Sequence, residues 1–162
     1  MEQEDKELLL KDLCARLPYG VKCQIDYDNE EDTDLGIERY RDDRIVSVCT
    51  ETEEIGLYEE SVYSPPEYVK PYLFPLSSMT EEEAKELSVL YGIKDVLSIN
   101  ITDEYIDFKV DDGFCSFERK TIWYNEIISS TETFDWLNKN HFDYRGLIEK
   151  GLAIDATGLK IY

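Results

Sequence analysis

Five carboxylates at alternating positions, Asp26, Asp28, Glu30, Asp32 and Asp34, form the densest set of metal-ligating side chains in the sequence. Hard cations such as calcium need several oxygen ligands at close spacing, and Asp26, Asp28 and Glu30 match the early alternation of an EF-hand loop. The match then breaks. Counting from Asp26, the position that needs glycine for a sharp turn holds Glu31, and the position that needs a bidentate glutamate holds Ile37. Counting from Asp28 puts Thr33 and Arg39 there instead. No flanking helices are predicted. These five residues stay as the sequence's metal-ligand candidates, and the stretch 26–36 reads as an exposed acidic loop, because like charge at this density resists regular structure.

Other chemistry is sparser still. The single histidine, His141, could serve as a general base, but no serine or cysteine stands in a nucleophile context to which it could be coupled. The string NKNHFDYRG places it at a helix end, where a cationic ring meets the carbonyl dipole. Cys14, Cys23, Cys49 and Cys115 lack the close Cys-x-x-Cys spacing of zinc or redox sites. Cys14 and Cys49 sit in apolar-periodic contexts and are expected to be small core residues. Carboxylates are so numerous that a catalytic pair could be drawn almost anywhere, and no glycine-rich phosphate loop exists. No catalytic residue and no cofactor is therefore expected.

The balance of 17 basic and 37 acidic residues gives a net charge of −20. Binding a phosphate backbone directly requires clustered Lys and Arg, so direct nucleic-acid binding is not expected, and an anionic membrane surface would repel the chain. A basic protein is the charge-complementary partner. The acidity is uneven: 19 acidic against 7 basic residues in 1–64, and 18 against 10 in 65–162. No apolar run reaches the length of a membrane span, and the acidic start MEQEDKELLL lacks the basic opening of a signal peptide, so a cytoplasmic protein is expected.

Which elements would position these groups? Leu8, Leu9, Asp12, Leu13 and Arg16 lay an apolar stripe with polar flanks along a helix near 4–16, stopped by Pro18 and Gly20. Val21, Cys23 and Ile25 alternate with polar residues as a half-buried strand, and further strands are predicted at 44–50 and 55–58. SPPEYVKPYLFPLSSM carries four prolines, so it should cross the surface with Tyr68, Tyr72, Leu73 and Phe74 tucked inward. Thr80 and Glu83 form a capping box for a helix reaching Leu90, with Ala84, Leu87 and Leu90 or Tyr91 buried and Gly92 at the end.

A β-meander follows over about 96–119. Leu97, Ile99 and Ile101 alternate in its first strand, Ile106, Phe108 and Val110 in its second, and Asp112-Gly113 turns into a third at 114–119. Helical segments are predicted at 121–129, 131–140 and 144–150. The expectation is an α+β fold: an antiparallel meander plus N-terminal strands, covered by N-terminal, central and C-terminal helices, in one globular domain over 1–162.

Three stretches, KELLLKDLCARLPYGVKCQI (6–25), VKPYLFPLSSMTEEE (69–83) and FDWLNKNHFDYRGLIEKGLA (134–153), resemble a group of small proteins from gut bacteria of the Bacteroides type and their phages or mobile elements. The resemblance covers about a third of the chain directly. It implies a bacterial or phage-encoded cytoplasmic setting and brings no activity or site residue with it.

Aromatic content points to binding. Tyr58, Tyr63, Tyr68, Tyr72, Tyr91, Tyr105, Tyr124 and Tyr144 are too many to be fully buried in one small core, and tyrosines amid carboxylates suit a basic protein partner. Tyr68, Tyr72 and Phe74 are the partner-contact candidates. The expected function is a non-enzymatic protein-binding or accessory module. The alternatives are a nucleic-acid mimic that blocks a DNA-binding protein, and a divalent-metal enzyme using dispersed carboxylates.

Overall fold

The computed structural model describes residues 1–26, 40–59, 62–113 and 116–162. Asp28, Glu30, Asp32 and Asp34, with the rest of the expected acidic loop after Asp26, lie outside the described residues, as do Phe114 and Cys115. Three α-helices and ten strands among the described residues make an α+β fold with antiparallel pairing and helices near the N-terminus, at the centre and in the C-terminal third. They form two compact units, Met1–Leu73 with Arg145–Tyr162, and Phe74–Tyr144.

The first unit opens with α1 (Gln3–Arg16), which closes through a 3-10 turn containing Pro18 and ends on Gly20 in the left-handed region. Its strands are β1 (Lys22–Asp26), β2 (Tyr40–Cys49), β3 (Glu54–Leu57), β4 (Tyr63–Ser64), the first part of β5 (Val69–Pro75), and β10 (Ile154–Asp155). The sheet order is β10-β5-β1-β2-β3-β4, antiparallel except where β10 joins β5. Leu9, Leu10 and Leu13 of α1 pack on Cys23, Ile25 and Ile45 of the sheet. Each such buried aliphatic side chain contributes roughly 1.5–3 kcal/mol.

The proline-rich stretch departs from expectation. Instead of a surface crossing it enters the sheet as β5, with Pro71 opposite Cys23. Proline is tolerated in a strand where no donor is required on one edge, and β10 begins to pair only at Tyr72. Tyr72 and Leu73 are buried, on opposite faces of the strand, but Tyr68 is exposed. Cys14 is also exposed, contrary to its expected core role, because it falls on the outer side of α1; Cys49 is half-buried at the end of β2.

The second unit holds the meander β6 (Val96–Ile101), β7 (Tyr105–Asp111) and β8 (Phe117–Trp123). With it are α2 (Glu81–Leu90), α3 (Thr131–Lys139) and β9 (Phe142–Asp143), which pairs in parallel with Phe74 and Pro75. Ala84 and Leu87 of α2 and Leu137 of α3 join Ile106 and Phe108 in one buried cluster. The capping box forms as expected: Thr80 Oγ1 accepts from the Glu83 amide at 3.3 Å, and Glu83 Oε2 accepts from the Thr80 amide at 2.8 Å.

Three details of this half depart from what the sequence predicts. Leu97 is exposed although it alternates with Ile99 and Ile101, because a bulge between Val96 and Ser98 turns it outward. Residues 121–123 extend β8 against Ile106 and Tyr105 instead of starting a helix, and only a 3-10 turn, Tyr124–Glu126, follows. At 144–150 there is one hydrogen-bonded turn, Lys150 N to Gly146 O, and no helix. Of the two residues expected to end the buried face of α2, Leu90 or Tyr91, it is Tyr91 that packs against the core.

Candidate binding surface

In the first unit, Ile45, Ile55 and Leu57 turn one face of β2 and β3 into the core, so their neighbours face outward. A bulge between Ile45 and Ser47 adds Val46 to that outer face. Across the strands, Ser47, Gly56 and Tyr63 stand in register. A Cβ on Gly56 would lie 2.1 Å from Ser47 Oγ and 3.3 Å from Tyr63 Cε1. Gly56 is itself buried: the missing side chain lets the Ser47 hydroxyl and the Tyr63 ring close over the strand, and the groove runs beside them.

The groove measures about 420 Å³ and is lined by Val46, Ser47, Gly56, Leu57, Tyr58, Val62 and Tyr63. Tyr58 and Tyr63 are 58% and 64% exposed, the valines nearly half. The Arg44 guanidinium lies 4.2 Å from the Tyr58 ring centroid and holds that ring upright. Behind it, Asp43 is buried and its carboxylate accepts from the Arg44 amide at 2.6 Å and the Glu59 amide at 3.1 Å, which ties β2 to the turn after β3. Glu59 in turn meets Arg41 at 3.5 Å on the rim. The aromatic side chains are therefore displayed on a fixed framework.

The sequence candidates are not gathered at this groove. Tyr68 is exposed in a 3-10 turn, Pro66–Tyr68. Tyr72 is only 4% exposed, its hydroxyl donating to Asp42 Oδ1 at 2.6 Å; burial, aided by that carboxylate, pushes the phenol up to about 12. Phe74 belongs to the second unit and is half-buried against its core. Asp26 ends β1, and among the described residues no group of three or more His, Cys, Asp and Glu is placed to hold a metal ion. His141 is buried just past the end of α3, in the left-handed region at φ 57°, and its carbonyl accepts from the Phe74 amide at 2.9 Å.

Tyr58 and Tyr63 stood among the surplus tyrosines of the sequence. Val46 and Val62 carry no signal in the sequence, because a β-branched residue at a strand looks like core; Val46 sits at the bulge and Val62 just before β4. Gly56, between Ile55 and Leu57, was the available clue: a glycine inside a strand marks a bulge or a close approach.

A second feature escaped the sequence reading. Asp12 and Arg16, expected to flank the stripe of α1, are both 0% exposed. Arg16 Nε donates to Asp12 Oδ2 at 2.6 Å and its terminal amine to Oδ1 at 3.1 Å, while Arg145 Nε lies 3.2 Å from Oδ1. One carboxylate is thus gripped by two guanidinium groups inside the first unit. The acid-then-base spacing of four on the inner stripe was visible, but solvated pairs share it.

No protein-family model, curated protein or solved structure matches this chain. Among the described residues no helix is long and apolar enough to cross a membrane.

Proposed function

We propose that this chain is a non-enzymatic binding module that docks a basic protein through the β2–β4 groove, acting in the cytoplasm of a bacterium or as a phage-encoded accessory. The observation that carries the reading is the groove beside Gly56: four exposed large side chains, Val46, Tyr58, Val62 and Tyr63, line it on one side of the sheet. Tyrosine supplies wide contact area at small conformational cost, and it is enriched where proteins meet. The net charge of −20 favours encounter with a basic surface and discourages acidic competitors. The groove is small for a whole interface, so it would hold a central anchor, with the charged periphery setting association rate.

The test is photo-crosslinking in cells from p-benzoylphenylalanine placed at position 46 of the full chain. One discrete product with a basic partner is expected, lost when Tyr63→Ser is introduced. A ladder of unrelated or acidic proteins would overturn the reading.

A further inference from the structure

In the second unit, a groove of about 390 Å³ is lined by Glu104, Trp123, Tyr124 and Asn125. Its walls are set by the chain around it. Thr102 Oγ1 accepts from the amides of Glu104 and Tyr105, at 3.3 and 3.0 Å, which fixes the turn between β6 and β7. The Tyr124 amide donates to Glu104 O at 3.0 Å, which locks that turn to the end of β8. Tyr124 lies half-buried with its hydroxyl 3.1 Å from Leu76 O and 3.0 Å from Thr102 O, so its ring is immobilised. Trp123 packs edge-on against Tyr105, centroids 4.9 Å apart, and stays nearly half exposed.

The charge at this place is one-sided. Glu104 lines the groove, Glu126 follows it in the 3-10 turn, and Asp103 acts on the Tyr124 hydroxyl, which burial and then that carboxylate push up to about 12. None of the four lining residues is basic. An exposed indole beside a carboxylate and a carboxamide, in an acidic neighbourhood, has the chemistry that receives a planar cation: the ring face attracts the charge and the oxygens accept its N–H groups. Arginine fits this better than lysine, because its guanidinium is flat, stacks on aromatic rings and presents paired donors.

We infer that this groove is a subsite for the guanidinium of an arginine presented by a partner protein. The inference does not depend on the β2–β4 groove, since its ligand and its reporter residues are separate.

The experiment titrates the full, ¹⁵N-labelled chain with capped arginine and follows the two indole N–H signals. The Trp136 indole already donates to Glu86 Oε2 at 3.0 Å and serves as the internal control. A saturable shift of the Trp123 signal alone is expected, with apparent affinity about fivefold weaker for capped lysine and for the neutral isostere citrulline. Glu104→Gln, at an exposed position, should weaken arginine by about fivefold while leaving the rest of the spectrum unchanged. Equal response to citrulline, a shift of Trp136 in place of Trp123, no saturable shift, or indifference to Glu104→Gln would each overturn the assignment.

Discussion

Replacing Asp12 with asparagine keeps the volume of the side chain and removes its charge. In the native chain this carboxylate accepts two hydrogen bonds from Arg16, at 2.6 and 3.1 Å, and faces Arg145 Nε at 3.2 Å, with Asp12 and Arg16 shut off from solvent. Removing one partner of a buried pair leaves a cation desolvated without its compensating charge, which costs about 3–5 kcal/mol. In a chain of this size that corresponds to a fall in melting temperature of about 6–20 °C. Urea titration near neutral pH, followed by far-ultraviolet circular dichroism, is the assay. Both tryptophans, Trp123 and Trp136, lie in the second unit, so their fluorescence tracks that unit alone, and divergence between the two signals would place the damage in the first. Lys150→Gln, which breaks the exposed 2.8 Å pair with Asp5, should leave the curve where it was. The double variant Asp12→Asn/Arg16→Met should be less damaged than the sum of the single changes. Strict additivity, or a loss below about 1 kcal/mol for Asp12→Asn, would refute the account of a tightly coupled buried site.

Four further outcomes are expected. Burial, reinforced by Asp43, pushes the Cys23 thiol up to about 12, whereas hydrogen bonds from Thr52 and the Glu51 amide draw the Cys49 thiol below its usual 9.0. A short iodoacetamide pulse read by mass spectrometry should label Cys49 and spare Cys23. Because Cys23, Tyr72, Tyr124 and Tyr162 hold their protons more tightly when folded, stability should be full below about pH 9 and decline as pH rises from there through 12. Tyrosinate absorbance during alkaline unfolding checks this, and ionisation well before unfolding would contradict it. Thr80→Ala should cost about 1 kcal/mol in urea unfolding followed by tryptophan fluorescence, and Thr80→Ser close to nothing. Gly56→Ala should cost about 1 kcal/mol by pushing on Ser47 Oγ and Tyr63, and adding Ser47→Ala should recover part of that; no recovery would mean that the hydroxyl is not the obstacle.

What the sequence made legible was local. The capping box at Thr80 and Glu83, the alternation of Ile106, Phe108 and Val110, and the left-handed Gly92 depend on neighbours along the chain, and all appear in the fold. What it hid depends on strands distant in sequence. Pro71 looks like a breaker until Cys23 lies opposite it, and 121–123 look helical until Tyr105 and Ile106 pair with them. The division into units leaves no linker to read, since it falls inside β5 after Leu73 and again at Tyr144–Arg145. The groove was hidden for the same reason: Ser47, Gly56 and Tyr63 meet only through strand register. Tyr68, Tyr72 and Phe74 form a cluster in sequence, yet alternation along β5 turns Val69 and Leu73 into the core and puts Tyr72 on the opposite face, where it is buried against Gln24 and Asp42.

β10 completes the first unit by pairing Ile154 and Asp155 with Tyr72 and Leu73, and Leu147, Leu152 and Ala153 enter the same core as Leu9. During synthesis, then, the N-terminal unit is begun first but its last strand is made after the whole of the second unit. Phe74–Tyr144 has all of its own strands and helices once the chain has passed Tyr144, whereas Met1–Leu73 must wait for residues made some eighty positions later, by the offset of Ile154 from Tyr72. Until they arrive, the side of β5 that β10 joins and the part of the core that Leu147, Leu152 and Ala153 fill have no cover, and this interval is when a nascent chain would most need a chaperone.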